Sequence, residues 1–300
     1  MTAFVFPGQG SQYVGMGKDI YENSPEAKKI FERADDALGF VLSKICFEGP
    51  DDQLKQTENT QPAIFLHSVA AFSGLHVKPA MVAGHSLGEY SALYAAGAID
   101  FEDAIKLVRL RGELMQRCGV EQPGTMAAVI GLDEKTIGEV CCTAWSAGIV
   151  QAANFNSPGQ VVISGSITGV REAMKLAKER GAKLVKELNV SGAFHSPLMQ
   201  SAQEGLQFAI EKTNFRDASV PVYANVTAQP VTRANEIKEL LVKQLTNPVR
   251  WMETIQNMAA AGATEFLEVG PGAVLQGLIK RIASGVVTKG ADKWTDIQNN

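Results

Sequence analysis

Gly84-His-Ser86-Leu-Gly88 has the G-x-S-x-G spacing of a nucleophile elbow, a tight strand-to-helix turn that lifts a serine hydroxyl clear of a sheet. Glycines flank such a serine because side chains there would collide with neighbouring backbone. The turn also aims helix N-terminal amides at whatever the serine attacks, and the amide that follows it, that of Leu87, is the natural first oxyanion donor. The alternative is a turn whose serine merely caps a helix. A serine nucleophile needs a base within hydrogen-bond reach. The chain has four histidines. His85 adjoins Ser86, and neighbouring side chains diverge in so sharp a turn. His67 and His76 lie on, or at the end of, an apolar helix, where a core histidine is the commoner case. Elimination leaves His195, in the loop Ser191-Gly-Ala-Phe-His-Ser-Pro-Leu-Met199, as the candidate base.

Arg111 carries a different signal. Within Phe101–Arg117, Ala104, Leu107, Val108, Leu114 and Met115 follow the i, i+3, i+4, i+7 pattern of one buried helix face. Arg111 falls on that stripe and Arg109 does not. A guanidinium there either snorkels to water or meets a fixed anion, and its planar fork suits a two-point grip on a carboxylate. Gly8-Gln-Gly10 resembles the start of a dinucleotide fingerprint, but Tyr13 stands in place of the third glycine and that reading fails. Gln9 could instead present its backbone amide to a ligand. Lys175, Lys178, Arg180, Lys183 and Lys186 form a local basic cluster, either a solvated face or a dock for an acidic partner.

These residues need a scaffold, and the pattern supplies one. Ala3–Phe6 reads as a buried strand ending in the loop Pro7–Gln12, and helices follow at about 26–38 and 62–75. Met81–Ala83 is a brief strand entering the elbow, with helices at 89–96 and 101–117. This alternation predicts an α/β core with a largely parallel sheet. From about 124 to 191 the order changes to β-α-β-β-α-β, that of a ferredoxin-like subdomain, so the core is expected over 1–123 and 192–285. The α/β rhythm resumes with a strand at 221–225, helices at 234–245 and 251–261 and a strand at 265–269. Residues 286–300 are polar and lack periodicity, as expected of a loose tail.

Composition restricts the function classes. Of 300 residues, 45% are apolar and 20% charged, which excludes a disordered or fibrous chain. With 28 basic and 32 acidic residues the formal charge is −4, so no global field favours nucleic acid or an anionic membrane. Cys46, Cys118, Cys141 and Cys142 lack metal-ligand spacing, so no metal site is expected. The N-terminus lacks a signal peptide, and the most apolar stretch, 63–77, is broken by His67, Ser68 and Ser73. A cytoplasmic, non-membrane protein, monomeric in the simplest case, is expected.

Seven segments in uninterrupted order carry a resemblance: Phe6-Pro-Gly-Gln-Gly-Ser-Gln12, Gly84-His-Ser-Leu-Gly-Glu89, Arg111-Gly112, Asn156-Ser-Pro-Gly-Gln160, Ala193-Phe-His-Ser196, Gln244-Leu-Thr-Asn-Pro-Val249 and Glu268-Val-Gly-Pro-Gly272. Together they resemble malonyl-CoA:acyl carrier protein transacylases, relatives of the stand-alone acyltransferases of polyketide synthases. The resemblance implies an α/β-hydrolase-like core with a ferredoxin-like insertion. It implies Ser86 as nucleophile, His195 as base, Arg111 as carboxylate clamp and the amides of Gln9 and Leu87 as oxyanion hole. It further implies that the Gln244 carbonyl orients the histidine, with no acid in that role. Phe194 is implied to narrow the acyl pocket in favour of malonyl over methylmalonyl, with Met115 beside it, and Lys178, Lys183 and Lys186 are candidates for carrier-protein docking. The implied partners are malonyl-CoA as substrate and acyl carrier protein; no cofactor is expected. An esterase or thioesterase using the same elbow, or a polyketide acyltransferase, is the alternative. The tail beyond Ile282 has no counterpart in the resemblance.

Overall fold

A computed structural model describes residues 1–300. The ten strands are β1 (Thr2–Phe6), β2 (Met81–Gly84), β3 (Gly124–Ile130), β4 (Val150–Ser157), β5 (Gln160–Ser166), β6 (Leu184–Glu187), β7 (Val222–Tyr223), β8 (Pro230–Val231), β9 (Glu265–Val269) and β10 (Val287–Ala291). They form two sheets. The larger has the order β10-β9-β1-β2-β7-β8, parallel except for the β7–β8 pair. Its central strands, β1 and β2, are buried almost throughout, which is why they read as short continuous apolar runs. The smaller sheet is antiparallel in the order β4-β5-β3-β6, and the helices Glu134–Ala144 and Ile167–Glu179 close over its own apolar core. Counted within the unit, that order is 2-3-1-4, the arrangement of a ferredoxin-like module. The architecture is α/β, as the alternation predicts.

Helix boundaries follow local chemistry. Ser24 caps Pro25–Leu38 by accepting from the Ala27 amide, Pro25 occupies the first turn, and Gly39 ends the helix in the left-handed region at φ 74°. The helix Thr57–Ser73 has no polar face, because the helices Pro25–Leu38 and Phe101–Glu121 pack against it while Gly88–Ala95 covers another side. It begins earlier than its apolar run suggests, since the buried polar residues Thr57, Asn59 and Thr60 form its first turn. No helix is long and apolar enough to cross a membrane.

Residues 286–300 are not a loose tail. Val287–Ala291 adds the edge strand β10 in parallel register with β9, and Trp294–Gln298 forms a helix whose Ile297 is 1% exposed. Between them, Asp292 accepts from the Tyr13 hydroxyl at 2.8 Å, and its backbone oxygen accepts from buried His67 at 3.0 Å. The segment misleads in sequence because its strand buries only Ala291 fully and its helix is anchored by two residues, too few for a periodic signal. Deleting residues 286–300 would expose that apolar contact and leave His67 unpaired. We expect a loss of about 3 kcal/mol or more of stability. Thermal unfolding should register it as a midpoint lower by roughly 5 °C or more.

Candidate active site

Ser86 stands at the carboxyl end of β2, in the crevice where open α/β sheets place their ligands. Both glycines of the elbow are required by close approach. A Cβ on Gly84 would lie 1.8 Å from the Gly88 carbonyl carbon, and one on Gly88 would lie 2.1 Å from the Phe6 oxygen. Ser86 itself has φ 52°, a left-handed conformation that costs a non-glycine residue on the order of 1–3 kcal/mol. Asn225, just beyond β7, holds it there. Its Oδ1 accepts the Ser86 amide at 2.7 Å, and its Nδ2 donates to the Gly84 carbonyl at 2.6 Å.

His195 also has positive φ, at 57°, in a buried loop. Its Nε2 lies 2.8 Å from Ser86 Oγ. On the far side of the ring, Nδ1 faces the carbonyl oxygens of Gln244 at 2.9 Å and Asn247 at 3.2 Å. Carbonyls only accept, so Nδ1 carries the proton and Nε2 is free to receive the serine's. The helix Ala234–Gln244 explains why Gln244 has an oxygen to offer: it is the last helical residue, where carbonyls have no partner within the helix. That helix end also presents the negative pole to an imidazolium. No carboxylate touches the ring. Burial, and then the Arg111 charge, push the His195 pKa down to about 3, so the imidazole is neutral at physiological pH. From β4, Gln151 Nε2 donates to the His195 carbonyl at 2.8 Å and fixes the loop to the smaller sheet.

Arg111 does not snorkel. It is 0% exposed, and its guanidinium lies 5.6 Å from the centroid of the Tyr90 ring. It donates to Gln61 Oε1 at 2.7 Å, Gln244 Oε1 at 3.0 Å and Ser86 Oγ at 3.1 Å, while Nε has no partner. Burial pulls its pKa down from the ordinary value. A buried cation thus points at the Ser86 hydroxyl with no acidic side chain in direct contact.

The other predicted residues gather around these three. A cavity of about 260 Å³ opens between the two sheets and is lined by Gln9, Leu87, Met115 and Phe194 as well as Ser86, His195 and Arg111. From the smaller unit Met126, Val162 and Leu188 supply apolar wall. The backbone amides of Gln9 and Leu87 have no acceptor within the protein. His85 is turned away, donating to Asn156 Oδ1 at 2.9 Å and packed edge-on against Trp251. Of the basic cluster, Lys175 and Arg180 pair with Glu172 and Glu139. Lys178, Lys183 and Lys186 are exposed and outside any ion pair, the last two in or beside edge strand β6, away from the cavity lining.

Sequence reasoning passed over Asn225, Gln61, Glu89 and Gln151. Asn225 lies 139 residues from the serine it holds, and Gln61 lies 50 from Arg111. The one available signal was polarity inside buried elements: Gln61 is a buried amide in a helix buried over most of its length, and Glu89 follows the elbow directly.

Residues 3–290 match the acyl transferase domain family. The chain is 48% identical to the malonyl CoA-acyl carrier protein transacylase of Bacillus subtilis, over 93% of this chain and 90% of that one. It is 46% identical to that of Escherichia coli K12, over 93% and 92%. Among solved structures, the transacylase of Coxiella burnetii superposes with a TM-score of 0.96 at 42% identity, covering 99% of this chain and 96% of that one. A malonyl-transacylase in complex with a type II PKS acyl-carrier protein superposes with a TM-score of 0.95 at 42% identity, covering 100% and 99%. With its elbow serine, carbonyl-oriented histidine and buried arginine in one crevice, the chain is an acyltransferase and belongs to the family of malonyl CoA-acyl carrier protein transacylases.

Proposed function

We propose that the chain moves the malonyl group from malonyl-CoA to the phosphopantetheine thiol of acyl carrier protein, through a malonyl ester on Ser86. The observation that carries this reading is Arg111, a buried cation whose guanidinium ends 3.1 Å from the nucleophile. A carboxylate on the acyl group would meet it with the thioester carbonyl beside Ser86 Oγ. In the first half-reaction Ser86 Oγ bonds to the thioester carbon as its proton passes to His195 Nε2. The oxyanion that forms accepts from the amides of Gln9 and Leu87, a role supported by their having no acceptor within the protein. Collapse breaks the carbon–sulfur bond, and the imidazolium returns its proton to the departing coenzyme A sulfur. In the second half-reaction the carrier thiol gives its proton to His195 Nε2 as its sulfur bonds to the ester carbon, and collapse breaks the bond from that carbon to Ser86 Oγ, which takes the proton back from the imidazolium. One thioester replaces another of similar energy, so the chemistry calls on no metal, nucleotide or redox group and runs readily in both directions.

The substrate also tunes the base. Arg111 is one cause of the low His195 pKa, so a bound carboxylate that offsets its charge raises the basicity of Nε2. An acetyl group cannot do this. Recognition and proton transfer are therefore coupled in favour of the dicarboxylic substrate.

Brief incubation with malonyl-CoA, without carrier, should add one malonyl group to the peptide containing Ser86 by mass spectrometry. Adding carrier protein should remove it as malonyl-carrier appears. Rapid release of free malonate without carrier would mark a thioesterase instead. Carriers of fatty acid and polyketide synthesis assayed side by side distinguish the two pathways.

The three unpaired lysines suit an acidic carrier, whose approach they would accelerate more than its final grip. Lys183→Glu with Lys186→Glu should lower kcat/KM for carrier protein about tenfold, steeply so at low salt, while leaving the rate of loading from malonyl-CoA unchanged. Equal loss in both half-reactions would place docking elsewhere.

A further inference from the structure

Arg111 and Glu89 are opposite charges, both buried, that do not touch. The guanidinium donates only to neutral oxygens, as described above. Glu89, 3% exposed, lies in the first turn of the helix Gly88–Ala95. One of its oxygens, Oε2, accepts from Gln244 Nε2 at 2.8 Å and from the Asn225 amide at 3.1 Å. A single side-chain amide therefore separates cation from anion. The Gln244 oxygen faces Arg111 and its nitrogen faces Glu89, the only orientation in which both contacts are donor to acceptor.

This arrangement answers a physical problem. A lone buried charge is costly, yet a direct Arg111–Glu89 ion pair would consume the donors that face Ser86. A counter-charge one amide away lowers the cost through the low-dielectric interior and leaves those donors aimed at the cavity. The same carboxylate steadies Asn225, which holds the left-handed turn of Ser86, and Gln244, whose carbonyl orients His195.

We propose that Glu89 is a positioning residue for the carboxylate clamp: through Gln244 it supplies the counter-charge that keeps the Arg111 head beside Ser86, and it competes with the substrate's free carboxylate for that cation. The proposal rests on Arg111 being the clamp. Its consequence is a tempered grip on the malonyl ground state, so that binding energy is not spent where it would slow the onward step to the carrier.

The test uses chains that bind but cannot react. Dissociation constants for malonyl-CoA and acetyl-CoA are measured by calorimetry on Ser86→Ala and on Ser86→Ala with Glu89→Gln. Glutamine can accept both hydrogen bonds now taken by Oε2 while removing the charge. The preference for malonyl-CoA over acetyl-CoA should rise about tenfold, through tighter malonyl binding, because one repelling unit charge is gone. A merely structural role would weaken both ligands alike, and an unchanged preference would overturn the proposal while leaving the clamp standing. Absence of any preference in Ser86→Ala would remove the clamp and this proposal with it.

If Glu89→Gln does not fold, the Ser86→Ala chain at pH 6 and pH 8 gives the same answer. Burial pushes Glu89 up to about 7, so it is largely neutral at the lower pH and charged at the higher. Of the groups around it, neither Tyr90 nor His195 titrates in that window. Arg111 stays cationic, Tyr90 is pushed up to about 12, His195 is down near about 3 and His85 is held below its ordinary value. The coenzyme's phosphates are common to both ligands and cancel in the ratio. Malonyl preference should be several-fold greater at pH 6, and a flat ratio would sink the proposal.

Discussion

Arg111→Ala should lose malonyl transfer by about 10²- to 10³-fold while retaining most of whatever acetyl transfer the parent chain performs, so that selectivity collapses or inverts. The magnitude is that of leaving one buried charge without its partner, ~3–5 kcal/mol. Three effects combine. The substrate carboxylate loses its only direct cation and must enter an apolar cavity unpaired. Gln61 and Gln244 lose the donor between them, which loosens the wall behind Ser86. Against these, His195 loses the charge that depresses it and becomes a better base for a substrate with no carboxylate. The acetyl rate therefore has a reason to hold or rise. Steady-state transfer with both acyl-CoAs, alongside circular dichroism to verify folding, decides the matter. Undiminished malonyl preference would mean that another group reads the carboxylate.

Ser86→Ala should reduce transfer by about 10⁶-fold and abolish covalent labelling by malonyl-CoA, the scale on which loss of a nucleophile acts in a serine–histidine unit. His195→Ala should cost almost as much, and the double variant little more than either alone, because each group works only through the other at 2.8 Å. Folding should survive Ser86→Ala, since the backbone strain at φ 52° is held by Asn225 through main-chain groups and not through the hydroxyl. Binding of malonyl-CoA should survive too. Persistent label would move the nucleophile elsewhere.

How legible each part was in the sequence follows from the range of the interaction that defines it. The elbow is local: Gly84, Ser86, Leu87 and Gly88 are set by the crossing of one strand and one helix, so spacing together with the flanking strand and helix patterns points to them. Arg111 was visible because helical period marks a face, although periodicity left open whether the head reached water or a buried site. From the residues themselves His195 emerges by exclusion, and otherwise through the resemblance carried by Ala193-Phe-His-Ser196, since composition and periodicity give no sign of a partner 109 residues away. Gln61, Asn225 and Gln151 could not be read this way. Amides are ordinary at surfaces, and their importance here lies in contacts that exist only once distant elements meet. The edge of the larger sheet was missed for the opposite reason: Val287–Ala291 is a genuine strand with almost no apolar alternation, because one side of it meets only water.

The position of β1 bears on how the chain is made. Strand β1 lies between β2 and β9, and β9 is contributed by residues 265–269. During translation Thr2–Phe6 can pair with β2 early, but its other hydrogen-bonding edge stays open until residues 265–269 have left the ribosome. Backbone donors and acceptors along one edge of β1 thus stay unmet until β9 arrives, a pairing of long sequence separation that slows completion of the sheet.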